Sequence, residues 1–308
     1  MLLTGIDYTP SIQIDNFTIT LEIYDNLSPE IKKLAETELR ETPENKKNGI
    51  DKLRQLLEQD KSLKTPLFND AWLISFLRPT KFYPDSAYKL IKSYYQFKIK
   101  YSDMYRNLLP RNQKMVFDQN IITGFPKRDK KGCRIVAIEL GKKWKHTVYS
   151  LNDLFKGMAL FMDAVILEPT SQVAGIQVII DMDDLSVKQA FHFTPSYAMM
   201  VLDWIQNSVP MRTKAIHIIN QPFIFDIVYK MFKPFFKRKL QSRIFFHGTD
   251  FKSLHEHIPQ SCLPERYNGS LELPELNGSK IYELLMTIEK EYEAINQYGY
   301  QMIRHSRY

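Results

Sequence analysis

The sequence predicts an α/β protein: an all-helical N-terminal lobe, a domain built on a mainly parallel sheet, and a helical tail. Three observations predict it. Apolar side chains repeat at helical spacing from residue 28 to about 118, as in "PDSAYKLIKSYYQFKIKY", where Tyr88, Ile91, Tyr95 and Ile99 share one period. Four short β-branched or aromatic runs follow: "CRIVAIEL", "AGIQVIID", "KAIHIIN" and "SRIFFHG". Amphipathic segments separate them, and buried strands that alternate with helices imply parallel pairing. The expected divisions are an N-terminal arm at 1–27, the helical lobe at 28–120, the α/β domain at 121–272 and the tail at 273–308.

Each element has a local reason. The arm alternates weakly and reads as loose or edge-paired chain. "SPEIKKLAETELRE" opens a helix with Ser28 as N-cap and Pro29 in its first turn. "KNGIDKLRQLLEQD" and "NDAWLISFLR" are the next two helices, and "PDSAYKLIKSYYQFKIKY" the fourth. "LNDLFKGMALFMDAVILE", "TPSYAMMVLDWIQNS" and "QPFIFDIVYKMF" are the helices between strands. After a loop with Pro264 and Pro274, "NGSKIYELLMTIEKEYEAINQY" reads as one tail helix. Repeats and low-complexity tracts are absent.

Composition sets the outer limits. The chain has 308 residues, 44% of them hydrophobic, enough for one large domain or two modest ones. Its net charge of +7 permits an anionic partner, nucleic acid or membrane. The start, "MLLTGIDYTPS", has no basic residue and turns polar at Asp7, so a secretory signal is not expected. The Asn-x-Ser/Thr matches are then chance. No apolar run is long enough to span a bilayer, and neither Leu2 nor the C-terminus fits a lipidation motif. Cys133 and Cys262 form no metal or redox motif, which suits a reducing compartment.

Catalytic signals are weak. The chain lacks a dinucleotide glycine fingerprint, a phosphate loop and a Gly-x-Ser-x-Gly elbow. His255 and His257 are two apart, whereas a helical zinc pair prefers a spacing of four. Asp181, Asp183 and Asp184 end a strand and read as a polar turn rather than a magnesium site. His217 lies within a strand and reads as a core histidine with one hydrogen-bonded nitrogen. No nucleophile, base and orienter assemble, so neither an enzyme nor a cofactor is expected.

One segment asks for an explanation. "KMFKPFFKRKLQSR" holds six basic side chains, no acid and three phenylalanines around Pro234. In the preceding helix Asn220 can cap and Pro222 fits the first turn. Phe223, Ile224, Ile227, Val228, Met231 and Phe232 then cover one face, with Asp226, Lys230 and Lys233 opposite. Pro234 forces a turn, after which come Phe235, Phe236 and Leu240, with Lys239 and Arg243 one turn apart. Three readings fit these residues: a core helix with a solvated basic face, a nucleic-acid surface, or a cavity lid whose cations sit on anionic headgroups. The basic residues do not interleave with aromatics in a nucleic-acid-binding pattern.

The surrounding sequence resembles a known family. "PMRTKAIHIINQPFIFDIVYKMFKPFFKRKLQSRIFFHG" and "LHEHIPQSCLPERYNGSL", with "GIQVIIDMDDLS" and "DAWLISFLRPTKFYPDSAYKLIKSYYQFK", resemble the CRAL-TRIO lipid-binding family. The likeness is to its tocopherol-transfer and retinaldehyde-binding branch, over about residues 28 to 272. It implies an α/β cage with a buried lipid pocket, closed by a mobile gate helix pair at Asn220 to Arg243. It implies a phosphoinositide site at Arg78, Arg212, Lys214, Lys239 and Arg243, with the last four converging if "KAIHIIN" and "RIFFHG" are neighbouring parallel strands. By the same likeness Phe155, Met158, Met162, Ile176, Ile180, Phe193, Val201, Trp204, Ile205, Met211 and Ile216 line the pocket, and Phe223, Ile227 and Val228 close it. Phe235 and Phe236 would contact the membrane. Met158 and Met162 stand where the tocopherol pattern has small hydroxyl residues, which points away from tocopherol itself. Asn268 replaces a usual glycine and tolerates the same left-handed turn.

The resemblance implies a non-enzymatic carrier that moves one small hydrophobic ligand to phosphoinositide-bearing membranes. Retinoid, tocopherol, carotenoid, sterol and phospholipid all fit. The alternative is a phosphoinositide-binding membrane-trafficking adaptor with a structural lipid. Either would be a monomer, cytoplasmic, and peripheral on endosomal or similar membranes, with no bound metal and no nucleic-acid partner.

Overall fold

The computed structural model describes residues 3–5 and 7–300; the ends of the expected arm and tail, at 1–2 and 301–308, lie outside them, as does Ile6. The arm folds back as a hairpin, β1 (Ser11–Ile14) against β2 (Phe17–Thr20), turning at Asp15 with φ +51°. The lobe follows. Helix α1 (Pro29–Leu39) is capped by the Ser28 hydroxyl, which accepts from the Ile31 amide. Helix α2 (Pro43–Gln59) begins four residues before the expected run, because Thr42 caps it and Pro43 fits its first turn. A short strand, β3 (Leu63–Lys64), precedes α3 (Asp70–Leu77) and α4 (Pro84–Lys100). Leu53, Leu57, Leu73, Phe76, Leu77, Ile91 and Tyr95 form the lobe's own core.

The main sheet has five strands in chain order. They are β4 (Ile122–Phe125), β5 (Arg134–Glu139), β6 (Ile176–Asp181), β7 (Thr213–Ile219) and β8 (Ile244–Gly248). All pairs are parallel except β4–β5. Only β4 was not among the expected runs: it is a four-residue edge strand with a glycine, too short to show alternation. Val136, Ile138, Ile176, Val178, Ile180, Ile216, Ile218 and Ile244 share one face of the pleat. Against that face pack α5 (Leu151–Ile166), α7 (Val187–Ala190) and α8 (Pro195–Asp203), while α6 (Pro169–Ala174) packs on α1. Helix α8 widens into a π turn at Trp204–Ser208, where the Val209 amide reaches back to the Trp204 carbonyl. The β7–β8 crossover carries α9 (Phe225–Phe232) and α10 (Arg238–Gln241), joined by a 3-10 turn at Lys233–Phe235. Asn268 adopts φ +52° in its turn, so asparagine takes the left-handed position.

The tail is two helices. In α11 (Gly278–Met286) and α12 (Glu289–Ile295) the expected single helix breaks where the Thr287 hydroxyl bonds back to the Leu284 carbonyl at 2.6 Å and Ile288 leaves helical geometry (φ −119°) to stay buried. A last strand, β9 (Gly299–Tyr300), pairs with β3. Leu276 bridges β4 at Gly124, the Tyr292 hydroxyl donates to the Leu160 carbonyl at 2.7 Å, and the Glu291 carboxylate accepts from the Leu3 and Thr4 amides at 2.7 Å each.

Candidate functional site

Between the apolar sheet face and α5, α8 and α9 lies a cavity of about 200 Å³. Ile176, Ile180 and Ile216 form its floor. Phe155, Met158 and Met162 enter from α5, Val201, Trp204 and Ile205 from α8 and the π turn, and Phe193, Met211 and Val228 complete the expected set. Phe155 and Trp204 stack edge-on at 5.2 Å. Val178 and Ile218 also line the floor, as strict alternation from Ile176 and Ile216 requires. Four methionines contribute to the wall, Met158, Met162, Met182 and Met211. Their unbranched thioethers let a small cavity yield to a larger guest.

Two expected gate residues are misplaced. Phe223 is 91% exposed and Ile227 is 40% exposed, and neither lines the cavity. The cause is backbone geometry at the helix start. Asn220 takes φ +52° and donates to Asp181 at 3.0 Å instead of capping, while Pro222 sits in a turn closed by the Phe225 amide. The helix therefore starts at Phe225, and its inward stripe is Phe225, Val228, Tyr229 and Phe232, at i, i+3, i+4 and i+7. The two rings after the proline also differ from expectation. Phe235 and Phe236 are half-buried, and Phe236 lines the cavity 5.9 Å from the Tyr229 ring. Exposed apolar side chains here include Phe223 and Ile227, Phe246 of β8 (46%) beside the Tyr229 ring, and Val187 (54%) and Phe191 (70%) on and just after α7, which packs against α9.

A basic cluster adjoins the cavity at the start of β7. Thr213 lines the cavity, its carbonyl accepts from the Arg243 guanidinium, and its neighbours Arg212 and Lys214 project together. Gly175 makes room for them: a Cβ there would lie 2.2 Å from the Arg212 carbonyl oxygen and 3.0 Å from Lys214 Cγ, and its φ is +92°. The Lys239 ammonium is held below its usual pKa, first by burial and then by Arg243, Arg212, Lys81 and Lys214. The two expected pairs thus converge, with Lys81 as a fifth cation that the sequence did not single out. One carboxylate stands among them: Glu38, from the last turn of α1, accepts from Arg212 Nη2 at 2.6 Å and Lys214 Nζ at 3.0 Å. Arg78 is elsewhere. Its residue is 1% exposed, and its guanidinium is spent on Glu41 (2.8 and 2.9 Å), Asp25 (3.0 Å) and the Gln172 side-chain oxygen (2.8 Å). It is a structural arginine and not part of the cluster.

The opposite sheet face carries a buried polar chain. His217 is bonded at both nitrogens, to His247 at 2.9 Å and to the Gln177 oxygen at 2.7 Å, rather than at one. Gln177 donates to Asp129 at 2.5 Å, and Ser253 meets His247 at 2.8 Å. Burial, then His247 and His257, press the His217 pKa down to about 3, so it stays neutral. His255 is bonded to the Tyr267 carbonyl at 2.9 Å, and the His257 ring packs on Phe245 at 4.2 Å. Asp181 accepts from the Asp183 amide at 3.0 Å, which closes the polar turn.

Known proteins resemble this chain in sequence. The family described as CRAL/TRIO domain matches residues 118–269. "Alpha-tocopherol transfer protein-like" of Homo sapiens is 32% identical over 245 residues, covering 80% of this chain and 71% of that protein. Its Mus musculus counterpart is 30% identical over 267 residues, or 87% and 77%. "Clavesin-2" of Rattus norvegicus is 30% identical over 247 residues, or 80% and 75%.

Proposed function

The chain belongs to the CRAL/TRIO domain family, and on that premise we propose that it binds and transfers lipid without covalent chemistry, releasing one hydrophobic ligand at phosphoinositide-bearing membranes. The observation that carries this reading is Thr213. One strand end serves two chemistries, lining the apolar cavity while presenting Arg212 and Lys214 outward and holding Arg243. A headgroup bound there would sit next to the gate that closes the cavity. The ligand side is consistent in energy: burying about 400 Å² of apolar ligand supplies roughly 10 kcal/mol gross, before the costs of ordering. The nearly unbroken hydrocarbon lining favours a ligand recognised by shape, since a buried polar group without a partner would be penalised.

The membrane contact follows from exposure. Phe191, Phe223, Val187 and Ile227 surround the gate, with Lys230, Lys233 and Lys237 exposed beside them. Aromatic rings at the headgroup level with lysines around them suit an interfacial surface. The experiment is vesicle-to-vesicle transfer of a fluorescent hydrophobic ligand, with and without phosphoinositide in the acceptor. Faster transfer to the phosphoinositide acceptor is expected. Recruitment to those vesicles with no ligand exchange would instead make the protein a trafficking adaptor with a structural lipid. Chemical turnover of the ligand would end the carrier reading.

A further inference from the structure

Glu38 divides the basic cluster. Its Oε2 bonds both Arg212 and Lys214. The Arg212 guanidinium also donates to the Val173 carbonyl, so that side chain is fixed from two sides. Among the described residues, no ion pair joins Lys81, Lys239 or Arg243 to a carboxylate. The cluster thus has one half ion-paired to an internal anion and one half that Glu38 reaches only at longer range, through the Arg243 charge.

Glu38 is delivered by a rigid element. Ile31, Ala35 and Leu39 on the same helix are buried against Val173 and Ala174 of α6. Just beyond the helix, Glu41 is locked to Arg78. The carboxylate is therefore tethered in place, at a high effective concentration relative to any free anion.

Resting on the phosphoinositide reading above, we propose that the cluster is a two-phosphate site whose second half, Arg212 and Lys214, is held by the Glu38 carboxylate until a second phosphate displaces it. The first phosphate meets Lys81, Lys239 and Arg243 and displaces no ion pair. The second phosphate, delivered on the same inositol ring, replaces a carboxylate carrying one charge with a group carrying up to about two. A headgroup with one phosphate docks at the open half and leaves Glu38 where it is. Proton uptake does not empty the site: although burial opposes it, the bonds from Arg212 and Lys214 hold the Glu38 carboxyl at about pH 2.

The test compares wild type, Glu38→Gln and Glu36→Gln. Glu36 is exposed on the same helix, so its replacement makes the same change in net charge. Binding is measured to phosphatidylcholine vesicles carrying phosphatidylinositol monophosphate or bisphosphate, and to the corresponding free inositol phosphates. Glu38→Gln is expected to gain several-fold affinity for the bisphosphate lipid and clearly less for the monophosphate. Glu36→Gln is expected to gain little for either. Glu38→Asp, which keeps the charge but withdraws it, should fall between Gln and wild type, and equal melting temperatures would exclude misfolding. Equal gains for the two lipids, or equal gains in Glu38→Gln and Glu36→Gln, would overturn the proposal. Wild type that binds neither lipid and neither free headgroup would overturn the phosphoinositide reading beneath it. The same ranking with free headgroups but not vesicles would support the two-phosphate site and assign it to a soluble ligand.

Discussion

Glu168 shows how much one residue can carry here. It is 2% exposed and accepts from Arg134 (2.6 and 3.1 Å), Arg128 (2.8 Å) and Ser171 (2.6 Å). Burial alone would raise its pKa; the two guanidinium charges and these bonds outweigh burial and hold it at about 2 against an ordinary 4.5. The folded value is depressed, so its stabilisation is full above pH 4.5 and lost as pH falls from there through 2. Glu168→Gln should cost about 3 kcal/mol, because the buried Arg134 and the half-buried Arg128 lose their shared buried counter-charge and keep only the exposed Glu22. Urea unfolding at neutral pH checks this, and a loss below about 1 kcal/mol would mean the pair is solvated as a surface bridge. The same principle explains the misreading of Arg78. A sequence shows a charge but not its partners, and those of Arg78 come from the arm, the α1–α2 turn and α6, which no local pattern joins.

At the scale of an element, the gate offers the sharpest contrast. Its two groups of aromatic rings face opposite ways, so they should separate by mutation. Phe232→Ala with Phe236→Ala removes cavity wall and should weaken ligand affinity at least tenfold, a loss of about 1.4 kcal/mol or more. Phe191→Ala with Phe223→Ala touches no cavity wall. It should slow transfer and weaken vesicle binding while ligand affinity stays within a few fold. Equal loss of ligand affinity in both double variants would mean that the two sets are not divided. The sequence made the existence of this helix plain through its period, but not its phase. A period says which residues share a face, and only the start residue says which face. Asn220 in left-handed geometry moved that start to Phe225. The sheet strands gave less trouble: the family resemblance placed Ile176, Ile180 and Ile216, and alternation puts Val178 and Ile218 on the same face. That is why most of the cavity floor was legible and the lid was not.

For the whole molecule, the five converging cations predict a linked stability. After burial, Arg243, Arg212, Lys81 and Lys214 depress the Lys239 pKa, and Arg212 depresses that of Arg243 against the opposing pull of Glu38, so the empty cluster disfavours the fold and a bound polyanion relieves it. Inositol polyphosphate should raise the melting temperature in proportion to the logarithm of its concentration. Lys239→Ala with Arg243→Ala should abolish that rise and flatten the salt dependence of vesicle binding. A melting temperature indifferent to the polyanion would leave the cluster without an anionic ligand. Convergence of cations from α4's approach, β7 and the end of the crossover was legible only in part: the parallel pairing of β7 with β8 could be anticipated, whereas Lys81 and Glu38 arrive from the other lobe. The lobe and cage are also joined by the tail, since β9 completes a sheet with β3 and Glu291 holds the amides of Leu3 and Thr4. That closure reverses the order in which a growing chain would be expected to settle. At on the order of ten residues per second, the helices of the lobe leave the ribosome well before the strand that pairs with Leu63. The first part made is therefore the last part finished, and a nascent chain stalled anywhere inside the cage would expose Leu63 and its neighbours to chaperones and proteases.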